Sequence, residues 1–381
     1  MSTELLSGIA EISANEWNAL AGTNWPFLRH DFLEAAESSG SVCAETGWKP
    51  RHLLIRDASG KAIAAMPLYE KTHSWGEFVF DWAWAQAYHR LGIDYYPKLV
   101  SAVPFTPAPC PKLLLMNRGD REVADELVSS AIQLAAEQNC SSLHLHFVAE
   151  QELDTLKRAG LMLRKDCQFH WNNRGYTSFD DFLATFSSAK RRKARQDRRR
   201  VADQGIGFRW LHGDQIDASL WAAVYELISI TFRQHGSVPY FNLDFFTEVS
   251  KTLSQQILIV LAERGQSTIA AAVFYVGDST LYGRYWGADS DYDALHFETC
   301  YYQGIEYCIR NGLQTFEPGT QGEHKISRGF QPVTTWSGHW LANPEFSSAI
   351  CRYLDDEQRH IERYIEAVDQ HSPYREKRIA E

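Results

Sequence analysis

Two stretches of this chain carry nearly the same strand. Residues 63–69 read IAAMPLY, and residues 269–275 read IAAAVFY. Each follows an apolar run, HLLIRD at 52–57 or ILIVLAE at 257–263, and a turn containing Gly60 or Gly265. Apolar runs split by such a turn read as β-hairpins. Each hairpin is followed by a helical pattern that stops at Asn139 or at Asn311-Gly312. One more strand then follows, at 142–148 or 313–317. The same order met twice in 381 residues predicts a duplicated unit. A hairpin, a helix and a returning strand bury their apolar sides as a mixed sheet with helices on its faces. The fold class is therefore α/β with mixed α+β sheets, in two domains. The expected division is 1–165, 166–340 and a helical tail over 341–381 that packs back on the first domain.

The first copy holds an insertion. Residues 74–111 contain WGEFVFDWAWAQAYHR and DYYPKLVSAVPFTPAPCP, with prolines at 104, 107, 109 and 111 that exclude a long helix there. Pro67, inside the first repeated strand, points to an edge position or a bulge. Trp82, Trp84, Tyr88, Tyr95 and Tyr96 of the insertion either cover an acceptor sugar or acyl chain or pack as core and lid.

Several function classes are excluded. The formal net charge of −10 argues against a generic basic nucleic-acid binder, and DNA is not an expected partner. The N-terminus MSTELLSGIAEISANEW lacks the basic and apolar regions of a signal peptide. The longest apolar run, 269–276, is far short of the ~20 residues of a spanning helix. Seven cysteines, an odd number with no C-x-x-C spacing, support neither a disulfide framework nor a zinc ribbon. The expected location is cytoplasmic. No G-x-G-x-x-G, P-loop, H-E-x-x-H or G-x-S-x-G occurs. His144 and His146 share one face of a strand, but no local carboxylate or Cys joins them. They read as structural, and no metal is expected.

Two segments carry the chemistry. Residues 190–200 hold eight cations, Lys190, Arg191, Arg192, Lys193, Arg195, Arg198, Arg199 and Arg200, with Asp197 the sole acid. Without Pro or Gly the run predicts a helix, which either grips phosphates or lies as a solvated, salt-bridged surface. Farther on, Arg284-Tyr-Trp286-Gly ends a strand and His296-Phe-Glu298 opens a helix. Glu317-Pro-Gly-Thr-Gln321-Gly-Glu-His324-Lys325 then leaves the next strand, with Arg328 following. Pro318, Gly319 and Gly322 force an irregular loop. A dense polar loop at a strand's carboxyl end is where α/β sheets place ligands. Acyl transfer to an amine needs a proton acceptor, a stabilised oxyanion and aligned substrates. Glu317 or His324 would accept the proton and Lys325 would meet the oxyanion or leaving-group charge. Arg284 and Arg328 would hold phosphates or carboxylates, with Trp286, Glu298 and Gln321 beside them.

GEFVFDWAWAQAYHRLGIDYYPKL, FTPAPCPKLLL, QFHWNNRGYTSFDDFL, RYWG, HFETCYYQGIEYCI and FEPGTQGEHKISRGF together resemble the FemAB-like N-acyltransferases of the GNAT superfamily, over nearly the whole chain. The resemblance implies two tandem GNAT-like domains and transfer of an acyl or aminoacyl group to an amine, on a peptidoglycan precursor. It points to Lys325, in HKISRGF, as an active-site lysine. It also implies that a basic helix opens the second domain, with Lys190, Arg191, Arg192, Lys193 and Arg195 gripping the donor's phosphates. Residues 289–298 lack the Q/R-x-x-G-x-G/A coenzyme A loop, so the donor stays open between acyl-CoA and aminoacyl-tRNA. No cofactor is required. The alternative is a GNAT-fold module that recognises cell-wall precursors without chemistry.

Overall fold

Pro67 decides how the first of the two matching segments folds. In the computed structural model, which describes residues 1–320 and 322–375, the first strand of that segment stops one residue before this proline. The chain runs β1 (Ser2–Leu6), α1 (Ala14–Ala21), α2 (His30–Ser38), β2 (Trp48–Pro50), β3 (His52–Arg56), β4 (Ala62–Met66), β5 (Tyr69–Lys71), α3 (Trp82–Arg90), β6 (Lys98–Ser101), β7 (Leu114–Leu115), α4 (Arg121–Glu137), β8 (Ser142–Leu145) and α5 (Leu153–Arg158). It continues through β9 (Met162–Asn172), α6 (Phe179–Ala184), α7 (Ser188–Asp203), β10 (Ile206–His212), α8 (Ala218–Gln234), α9 (Leu243–Thr252), β11 (Ile257–Arg264), β12 (Ser267–Val276), β13 (Thr280–Ala288), α10 (Leu295–Phe297), α11 (Gln303–Asn311), β14 (Thr315–Glu317), β15 (Gln331–Leu341) and α12 (Pro344–Asp369). Two units result: Met1–Asp166 with Thr334–Glu362, and Cys167–Val333 with Arg363–Glu381. The last helix contributes residues to both units.

In the first unit β3 and β4 form the expected hairpin, flanked by β1 and β7 in the order β1-β3-β4-β7. After Pro67 the chain re-enters a separate ladder at β5, because proline cannot donate to a strand pair. Its carbonyl instead accepts from Ser101 Oγ at 2.8 Å. That ladder runs β15-β8-β6-β5-β2, with β6 and β8 parallel and joined through α4. α4 is set by its sequence: Asp120 caps it by accepting from the Val123 N–H at 3.2 Å. Val123, Leu127, Ala131 and Ala135 recur at helical spacing on its buried side. They pack on Leu53, Ile55, Ala64 and Met66, and burying one such Leu contributes about 1.5–3 kcal/mol. Asn139 takes the left-handed conformation (φ 54°) that ends the helix. The aromatic insertion does admit one helix, the nine-residue α3, which ends before the prolines begin.

In the second unit the order is β10-β11-β12-β13-β14-β9. Residues 269–275 stay in one unbroken strand here, since no proline interrupts them. β13 and β14 are parallel, joined by the helical stretch between them. That stretch, expected as one helix over 297–310, has three parts: α10, a π turn over Glu298–Tyr302, and α11. The wider turn buries Glu298, Thr299, Tyr301 and Tyr302 together. Gly287 lets α8 lie against β13, because a Cβ there would sit 2.0 Å from the Leu227 carbonyl oxygen. Among the described residues no helix is long and apolar enough to cross a membrane.

Candidate functional site

The polar loop leaves β14 at Glu317, and its turns depend on Gly319 (φ 95°) and Gly322 (φ 112°). Glu317 lies opposite Tyr282 in the parallel pair, and Arg284 is the extra residue of a bulge in β13, between Gly283 and Tyr285. The pair is bidentate: Arg284 donates to the two Glu317 oxygens at 3.0 and 2.7 Å. The Gly319 N–H adds a third donor at 3.2 Å. Both side chains are buried. Three donors thus converge on the Glu317 carboxylate, two on Oε1 and one on Oε2.

Lys325 is buried and donates from Nζ to the Gly319 carbonyl at 2.6 Å. Burial lowers its pKa to about 8, with Glu317 opposing that shift and Arg284 reinforcing it. An amine of that pKa is about one-tenth neutral at pH 7 and can take a proton. His170, on β9, is held neutral beside this group. Burial lowers its pKa to about 4 against the pull of Glu317. His170 stands in the sequence only as part of QFHWNNRGYTSFDDFL, with no role given to it; it lies between Phe169 and Trp171 and meets the loop only through folding.

His324 Nε2 pairs with the Tyr301 hydroxyl at 2.8 Å, and burial lowers its pKa, with Lys325 and Arg328 adding to the effect. Arg328 stacks over Phe297 at 3.5 Å and donates to the His324 carbonyl and Ser327 hydroxyl. It therefore shapes the loop. Trp286 lies against His296, its ring 5.4 Å away. Glu298 is taken up by Arg198, whose Nε stands 3.1 Å from each carboxylate oxygen, and by Gln303 at 2.8 Å. Gln321 lies outside the described residues.

The basic run is helical, as its lack of breakers predicts, and its charges divide by face. Ala194, Asp197 and Val201 turn inward. Arg198 pairs with Glu298 and Glu306, Arg200 with Asp293, and Lys193 with Asp197. Arg198 and Arg200 thus tie the helix to its surroundings, whereas Lys193 and Asp197 pair within the helix. Arg191, Arg192, Arg195 and Arg199 line a groove of about 610 Å³ with Ser188 and Gln196. Arg195 has an exposed partner, Asp180, at 3.0 Å, a pair worth little in water. The groove thus takes Arg191, Arg192 and Arg195 from the expected phosphate set and adds Arg199. Lys190 and Lys193 do not line it.

In the first unit Trp82 is exposed, with Trp75 5.5 Å from it. Tyr88 is buried and stacks on Phe346 at 3.9 Å, beside Trp84 and Tyr95. The Tyr96 hydroxyl meets Ser74 at 2.9 Å. Beneath them lies a buried ionic network that sequence reasoning missed. Lys98 donates to Ser74 at 2.8 Å, to Glu77 at 2.9 Å, and to Asp81. His146 meets Glu77 at 2.9 Å, and His144 meets His339 at 2.7 Å. The two strand histidines are thus part of a hydrogen-bonded core, and no metal-holding cluster occurs among the described residues. Only the adjacency of Lys98 to the aromatic run could have hinted at the network. Its acids lie 21 and 17 residues upstream and its third histidine comes from β15.

The fold has solved relatives. A crystal structure of FemX superposes with a TM-score of 0.56 at 12% identity, covering 92% of this chain and 100% of that one. The C-terminal domain of a putative lysylphosphatidylglycerol synthetase from Agrobacterium fabrum gives 0.53 at 11%, over 92% and 97%. L-PGS from Bacillus licheniformis gives 0.52 at 10%, over 86% and 96%. At identities this low the superpositions show a shared mixed α/β fold alone. No functionally curated protein matches the sequence. A family model described as FemAB-like, peptidoglycan biosynthesis/recognition, matches residues 8–376, and by that match the chain belongs to the FemAB-like family.

Proposed function

We propose that this chain is an N-acyltransferase that moves an acyl or aminoacyl group onto an amine of a peptidoglycan precursor. The observation that carries the reading is Lys325, a buried amine with its pKa lowered to about 8 and held by the Gly319 carbonyl beside the Arg284–Glu317 pair. The acceptor amine attacks the donor's acyl carbon. A C–N bond forms and the donor's C–O or C–S bond breaks. Neutral Lys325 takes the proton released by the attacking amine, and the ammonium so formed returns it to the departing oxygen or sulfur. Glu317, locked by Arg284, keeps a negative charge near that ammonium as it forms. His324, hydrogen-bonded to Tyr301, is the second candidate for the proton.

Donor phosphates would lie along the Arg191, Arg192, Arg195 and Arg199 groove, which suits aminoacyl-tRNA or acyl-CoA. No cofactor enters this scheme, and a cytoplasmic location follows from either donor. The test offers the purified chain a muramyl-peptide acceptor with aminoacyl-tRNA or with mixed acyl-CoAs, and reads the product by mass spectrometry. An amide product from the wild type, reduced at least 100-fold in Lys325→Met, supports the proposal. Tight acceptor binding without product from any donor would replace it with the recognition module.

A further inference from the structure

We propose that the first unit holds a separate binding site for a small ligand with an oxyanion head and an apolar body. A cavity of about 460 Å³ opens where β7 ends and α4 begins, within the range typical of small-molecule pockets. Its floor is apolar, formed by Leu20, Leu113, Leu114 and Ala124. Its rim carries Arg118, Arg121 and Arg158, with Trp25 beneath the Arg118 guanidinium at 5.6 Å.

Of the three wall acids, Glu152 and Asp120 are hydrogen-bonded within the protein and Asp154 acts on Arg158 through its charge. Glu152 accepts the Lys112, Leu113 and Ala149 N–H groups at 2.7, 2.6 and 3.1 Å. That carboxylate pins the two segments that frame the opening. Asp120 caps α4, and Arg158 is bound by Asp125 at 2.6 Å with Asp154 in its field. The guanidinium groups of Arg118 and Arg121 are left with no hydrogen-bond or ion-pair partner among the described residues. Both arginines are exposed, and Arg118 makes a cation–π contact with Trp25.

Two unengaged guanidinium forks above an apolar floor fit a carboxylate or phosphate joined to a hydrocarbon or aromatic body. A free phosphate would leave the floor unfilled, and a neutral alkyl chain would leave both forks unmatched. The site is independent of Lys325 and stands whether or not transfer occurs there.

The test is calorimetric titration of the full chain with octyl phosphate, octanoate, octanol and inorganic phosphate. The expected result is saturable one-to-one binding of octyl phosphate or octanoate, at least tenfold tighter than octanol or inorganic phosphate. Which head binds tighter identifies the source class. Arg118→Gln with Arg121→Gln should weaken that binding at least tenfold while the melting temperature stays unchanged. Leu114→Trp, which fills the floor, should abolish it. Equal affinity for octanol, no saturable binding of either anion, or undiminished binding in the double variant would each overturn the proposal.

Discussion

Replacing Lys98 by Met should be among the most damaging single changes in the first unit. The ammonium is fully buried, and so are Glu77 and Asp81, its two carboxylate partners. Burial alone would lower the lysine's pKa, but attraction to Glu77 and Asp81 and their hydrogen bonds win, so it is raised. Asp81 is also desolvated, which would raise its pKa, yet Lys98 and the Ser74 and Tyr95 hydrogen bonds bring it down. Methionine fills the volume and removes the charge, leaving two carboxylates in a dry core. Stranding a buried partner in this way costs about 3–5 kcal/mol. Hydrogen exchange over peptides spanning residues 71–101 reads the loss locally, as a drop of about 10²- to 10³-fold in protection. Adding Glu77→Gln and Asp81→Asn should restore most of it, because neutral amides do not need the ammonium. The pH dependence has a defined sign. A raised lysine stabilises below its unfolded value of 10.5, and the contribution fades as pH climbs through the folded value. A lowered aspartate stabilises above 3.8, and that contribution fades as pH falls through its folded value. His144, His146 and His339, lowered chiefly by burial, add destabilisation as pH drops below 6.5. A loss under 1 kcal/mol in Lys98→Met, or a triple variant no better than the single, would refute this account.

The second unit yields three more expectations. If neutral Lys325 is the proton acceptor, single-turnover rate should rise about tenfold per pH unit below about 8 and level off above it, a limb absent from Lys325→Met. Changing Arg191, Arg195 and Arg199 to Gln should weaken aminoacyl-tRNA binding and flatten its log–log salt dependence by about 2, whereas Arg198→Gln should chiefly cost stability, about 3 kcal/mol, by stranding Glu298. Gly287→Ala should lower the melting temperature sharply, since its methyl group meets the Leu227 backbone rather than a side chain that can move.

The local chemistry of the chain was legible where it depended on neighbours in sequence. Hairpins, the helix ends at Asn139 and Gly312 and the helical basic run follow from turn residues, capping residues and the absence of breakers. Pro67 announced an interruption, though not that the strand would divide between two ladders. The split of the basic run was invisible, because the acids that claim Arg198 and Arg200 lie about a hundred residues downstream. For the same reason Glu298, read as a ligand contact, is a helix anchor. The π turn that buries it breaks a periodicity that otherwise matched a single helix.

Buried polar groups gather beside a parallel strand pair in each unit. In each unit a helix returns the chain to a parallel strand, β6 to β8 or β13 to β14, and a parallel return leaves carboxyl ends side by side. In the first unit Lys98 opens β6 and His144 and His146 lie at the end of β8; in the second Glu317 ends β14 beside Arg284 of β13. The two sets are differently resolved. Lys98 meets its acids directly, so its charge is fixed and its role is structural. In the second unit Arg284 takes the acid instead, and Lys325, bonded to a neutral carbonyl, is left with a pKa of about 8. Moving the counter-ion by one partner separates a locked cation from a titratable one. Glu317→Gln should therefore lower the Lys325 pKa further, because the carboxylate's attraction for the ammonium is lost, and shift the rising limb of the rate profile toward lower pH. A limb that stays in place would mean that Glu317 does not act on this lysine.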